Sequence, residues 1–144
     1  MEPGNEAEVL SGVAQGGLRW AVVASGTDQD FCTMLHVYRD GQAAGGSGFG
    51  GPKLRGTAVM NEWRGRRDDQ PYFVMARTRP EVDRVVAITS SGTEVELALS
   101  PPVPAFGLRF AAAALPDGEA PGRLRAERAG VVLESWPQPV PGRD

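Results

Sequence analysis

From residue 17 onward the chain alternates apolar and polar positions with the period of extended strands. In "GLRWAVVAS", Leu18, Trp20 and Val22 fall on one side and Arg19, Ala21 and Val23 on the other, which predicts a strand whose core face carries Trp20. "DFCTMLHVYRDG" is ambiguous, because Phe31, Met34, Leu35 and Tyr38 also have helical spacing with Asp30 placed to cap and Gly41 to stop. Cys32, Thr33, Val37 and Tyr38 prefer strands, and both alternating faces are largely apolar, so a strand buried on both sides is the better fit. Residues 42–49 are thin in side chains and read as an edge or irregular segment. "LRGTAVMNEW" predicts a further strand, and 64–71, with mixed charges and nothing to bury, a solvated loop.

The second half is more regular. "YFVMART" is a short aromatic strand bounded by proline, and Val82 to Ile88 and Val95 to Leu99 flank "SSGT" as a hairpin whose glycine supplies the positive φ of a tight turn. "FGLRFAAAALP" alternates at Phe106, Leu108 and Phe110, and "GRLRAERAGVVLESW" is a second hairpin turning at Ala129 and Gly130. Roughly eight or nine strands result with no long helix between them, which argues for an all-β, single-domain antiparallel sandwich, immunoglobulin-like, with a small β-barrel as the alternative. Its boundaries are residues 17–137, with a mobile N-terminal tail over 1–16 and a C-terminal tail over 138–144.

Composition narrows the possibilities. The 144 residues suit one domain with a core of its own, 41% apolar and 23% charged, and the 19 glycines and 12 prolines favour short elements joined by turns. A formal net charge of −3 supplies no global positive field for a nucleic-acid backbone, so no nucleic acid is expected as partner. The longest apolar run, Phe110 to Leu115, covers six residues, against the ~20 that a spanning helix needs, so no membrane span is expected. "MEPGNEAEVL" is acidic and polar, unlike an export signal, and a lone Cys32 has no internal disulfide partner. The expected location is cytoplasmic.

"WAVVA" at 20–24, Cys32, "GGSGFG", "RPEVDRVVAITSSGTEVEL", "FGLRFAAAALP" and "AERAGVVLES" together resemble a β-rich domain of unknown function common in high-GC Gram-positive bacteria. The resemblance covers roughly residues 17–135 and rests on turns and core strands, so it implies a β fold and no particular chemistry. Exported relatives of that kind carry a second cysteine near the glycine-rich segment, where this chain has Ser47, and the departure implies an intracellular form.

Candidate chemistry is sparse. Gly46, Gly48 and Gly51 match the G-x-G-x-x-G spacing of a dinucleotide loop, but no helix is promised after "PKLRG", and Lys53 lacks the neighbours of a P-loop. Cys32 and His36 are the single thiol and the single imidazole. On a strand their Cα atoms stand about 13 Å apart, too far to share a proton, whereas on a helix they would be neighbours. One Cys and one His leave only carboxylates such as Asp28 and Asp30 to complete a metal site. Glu94 and Glu96 share a strand face and read as its solvent side, and Arg77 with Arg79, or Arg64 with Arg66 and Arg67, are candidate anion holders.

No catalytic residue, cofactor or metal is therefore expected. The expected function is a non-catalytic interaction module that binds a protein partner or itself through a sheet edge or loop end, the thinly covered stretch 42–52 offering such an edge, with Trp63, Trp136 and Phe49 as its surface. The alternative is a hydrophobic-ligand carrier with a barrel pocket lined by Trp20, Phe73 and Phe110.

Overall fold

The computed structural model describes residues 6–54, 58–66 and 70–136. Among them the chain forms twelve strands: β1 (Ala7–Ala14), β2 (Leu18–Gly26), β3 (Phe31–Arg39), β4 (Gln42–Phe49), β5 (Met60–Gly65), β6 (Phe73–Thr78), β7 (Arg84–Thr89), β8 (Glu94–Glu96), β9 (Ala98–Leu99), β10 (Arg109–Ala114), β11 (Pro121–Arg128) and β12 (Val131–Trp136). They assort into three antiparallel sheets ordered β1-β2-β3-β4, β5-β6-β10-β9 and β12-β11-β7-β8, none of them closed. The antiparallel sandwich expected from the strand pattern is what the chain forms, and the barrel alternative is not.

The sheets stack in three layers, and the two cores between them explain the sequence pattern of the central sheet. Phe73 and Met75 of β6 and Phe110 and Ala112 of β10 join Trp20, Val22, Phe31 and Leu35 of the first sheet. Val74 and Ala76 of β6 and Ala111 of β10 point the other way and join Val85, Ala87, Leu124 and Ala126 of the third. Both faces of β6 and β10 are thus covered, which is why "YFVMART" and "RFAAAA" lack an exposed polar face. The chain passes from the third sheet to the second at Leu97, which is buried between β8 and β9 with its N–H donated to Val85 O at 2.9 Å.

The first sheet is a meander of tight hairpins. The β3–β4 turn places Asp40 and Gly41 at φ 53° and 80°, and the β11–β12 turn places Ala129 and Gly130 at 50° and 80°, the paired positive φ of type I′ turns. The strand over 31–38 is as expected, in register with β2 from Leu18↔Arg39 to Gly26↔Phe31.

Three expectations are corrected. Residues 1–16 were expected to be a tail, but Ala7–Ala14 form β1, paired with β2 from Ala7↔Ala24 to Ala14↔Leu18. The signal is weak because Gly12 stands opposite Trp20, whose ring occupies the space of the missing side chain: a Cβ on Gly12 would lie 2.4 Å from Trp20 Cζ2. Residues 1–5 and the C-terminal tail lie outside the described residues. Second, β5 begins at Met60 and runs through Arg64 and Gly65, where the mixed charges predict a loop. Third, Trp20, Phe73 and Phe110 line no barrel. They are packed together in the core between the first two sheets, where Phe31, Phe106 and Phe110 also meet at ring-centroid distances of 5.1, 6.2 and 6.3 Å.

Candidate functional sites

The glycine-rich segment ends in a loop organised around a buried cation. Arg77 on β6 is 0% exposed and projects toward the first sheet. Its guanidinium donates to Thr33 Oγ1 at 2.8 Å, Lys53 O at 2.8 Å, Pro52 O at 2.9 Å and Gly50 O at 3.4 Å, and lies 4.1 Å from the Phe49 ring centroid. A phosphate cradle turns backbone N–H groups inward. Here carbonyl oxygens turn inward onto a guanidinium, the opposite polarity, and of the three spaced glycines Gly46 and Gly48 serve packing while Gly51 supplies a φ of 97°. Gly46 and Gly48 lie under the His36 and Met34 side chains, with a Cβ on Gly46 placed 3.1 Å from His36 Nδ1 and one on Gly48 3.0 Å from Met34 Sδ. Lys53 closes the same loop, donating to Phe106 O at 2.8 Å and pairing with Asp28 at 2.7 Å.

Cys32 and His36 share the outer face of β3 with Met34 between them, as the strand reading requires. Glu94 and Glu96 are solvent-exposed and pair with Arg125 and Arg84 at 3.6 and 3.2 Å. Of the arginines considered as anion holders, Arg77 is engaged as described, and Arg79 donates to Ala58 O at 2.9 Å. Arg64 reaches Glu62 and the Pro121 and Gly122 carbonyls at 3.4 Å on the third-sheet side of β5. Arg67 lies outside the described residues.

The aromatic residues expected to form one surface stand in three places. Phe49, on β4, stacks under Arg77. Trp63, on β5, packs against the first core and folds over Gly65, whose Cβ would lie 2.5 Å from Trp63 Cζ2. Trp136, at the end of β12, packs against the second core and donates its indole N–H to Glu134.

Two surfaces escaped the sequence reading. The first is a cleft of about 330 Å³ between β4 and β5, the neighbouring edges of the first two sheets, with Leu35, Val37, Phe73 and Trp63 among its lining. A second cleft, of about 420 Å³, shares Arg66 and Gln70 with it and adds Arg39, Tyr72, Asp117 and Glu119. Gln70 donates to Ala44 O at 2.9 Å and so ties the loop before β6 to β4. The second surface is the edge strand β12. Val131, Val132 and Leu133 are 63%, 49% and 39% exposed, consecutive, and on the outer strand of the third sheet.

The class these observations define is a three-layer, all-antiparallel β protein with an open sheet edge and an inter-sheet cleft. No family model, curated protein or solved structure matches the chain. What these surfaces bind rests on their own residues.

Proposed function

We propose that this protein is a non-catalytic interaction module that self-associates by pairing β12 of one copy with β12 of another. The observation that carries this reading is the exposed run Val131–Val132–Leu133 on an edge strand. Edge strands are ordinarily protected from pairing by charged side chains. The one charged residue of β12, Glu134, is turned onto the protein itself, accepting from Val59 N at 2.9 Å and Met60 N at 3.2 Å. The apolar run therefore faces water without a guarding charge from its own strand.

A second copy fits by symmetry. An antiparallel pair centred on Val132 sets Val132 opposite its own copy, Val131 opposite Leu133, and Glu134 opposite Gly130. Apolar residues meet apolar residues, no two carboxylates face each other, and the contact is isologous and closed.

Sedimentation equilibrium of the wild type and Val132→Lys tests the proposal. A wild-type dimer that becomes a monomer in the variant, with the β circular dichroism spectrum kept, is the expected result. A wild type that stays monomeric at its highest soluble concentration, or a dimer that Val132→Lys leaves intact, overturns it.

A further inference from the structure

We propose that the cleft between β4 and β5 binds a small organic carboxylate, its apolar body between the sheets and its carboxylate at Arg39 and Arg66. This inference stands apart from β12 and does not depend on self-association.

The inner end of the cleft is apolar. Leu35 and Val37 come from the first sheet and Phe73 from the second, and Trp63 forms one wall, its ring held in place over Gly65. A volume of about 330 Å³ is within the range of small-molecule sites. Arg64, though part of the lining, has its guanidinium committed to Glu62 and to the Pro121 and Gly122 carbonyls on the opposite face of the sheet.

The outer end carries the charge. Arg66 and Gln70 line both clefts, so the two lie side by side. Arg66 rests over the Tyr72 ring at 5.0 Å, and neither Arg66 nor Arg39 is paired with a carboxylate among the described residues. The second cleft also carries two carboxylates, each held by neutral donors. Asp117 accepts from Gln15 Nε2 at 2.7 Å, and Glu119 accepts from the Thr89 and Ser91 hydroxyls. Two guanidiniums that make no ion pair among the described residues, beside a half-open cleft with an apolar inner end, complement a molecule that is apolar at one end and anionic at the other.

Three probes with one tail and different heads separate charge recognition from simple apolar sticking: octanoate, octan-1-ol and octyltrimethylammonium, each below its micellar concentration. Binding is read from the indole N–H resonances in ¹H–¹⁵N spectra, with the Trp63 signal assigned by its loss in Trp63→Phe. Octanoate is expected to shift that signal saturably, with octanol about tenfold weaker and the cation weaker still. The double variant Arg39→Gln/Arg66→Gln, changed only at exposed side chains, is expected to bind octanoate no better than octanol. Ser47→Trp, which fills the cleft, is expected to bind none of the three. No saturable shift with octanoate, equal affinity for all three probes, octanoate affinity unchanged in the double variant, or binding retained by Ser47→Trp would each overturn the assignment.

Discussion

At the scale of single residues, the most consequential side chain is Arg77. A guanidinium placed between two sheets satisfies three backbone carbonyls and a threonine hydroxyl at once. An unsatisfied buried polar group costs on the order of 1–3 kcal/mol. Arg77→Met is therefore expected to lower the stability by about 3 kcal/mol in urea denaturation, and Arg77→Lys is expected to recover little of it, because an ammonium cannot present a planar fork to several acceptors. Equal stability of the wild type and Arg77→Lys would count against that role. Nothing in the linear pattern marks Arg77 as buried. It occupies a position that alternates with Val74 and Ala76, and its partners Gly50, Pro52 and Lys53 are contributed by backbone carbonyls that any residue possesses.

At the scale of elements, legibility followed the source of each strand's packing. β7 to β8 and β11 to β12 were readable because their turn residues and their apolar alternation lie in one short window. β1 was not, because its packing depends on Trp20 reaching across onto Gly12, and β5 was obscured because Glu62 and Arg64 neutralise one another inside the strand. The cleft between β4 and β5 was invisible for the same reason, since its walls come from residues far apart in sequence that only the stacking of sheets brings together.

One loop-to-loop tether in this fold is sensitive to pH. The Ser91 hydroxyl, followed by that of Thr89, holds the Glu119 carboxyl below its ordinary pKa and so ties the β7–β8 turn to the segment before β11. A carboxyl whose folded pKa is depressed adds stability above its unfolded pKa and loses it as pH falls through the folded value. The wild type should therefore be stabilised relative to Glu119→Gln at neutral pH, with the difference vanishing in acid. Urea midpoints measured for both proteins across the acid range check this, and a difference independent of pH would refute it.

For the whole molecule, the sandwich class was legible and the number of layers was not. Strands covered on one face and strands covered on both give similar apolar runs when short alanines fill the second face, as Ala111 and Ala113 do in β10. The layering has a dynamic consequence. Amides of β6 and β10, roofed on both sides, should exchange most slowly with deuterium, and those of the edge strands β1, β4 and β12 fastest. Exchange profiles in which β2 or β11 outlasts the central pair would contradict the three-layer packing.

The switch of sheets at Leu97 bears on how the molecule can come apart. Because a single stretch of backbone serves as border strand for two layers within a few residues, those layers are stitched at that seam, and neither can peel away without undoing its neighbour. The first layer has no such stitch: residues 7–49 supply all of it without interruption. Any partial opening of the protein thus has a natural hinge line, with the N-terminal meander lifting off as a flap while the remaining two layers stay joined.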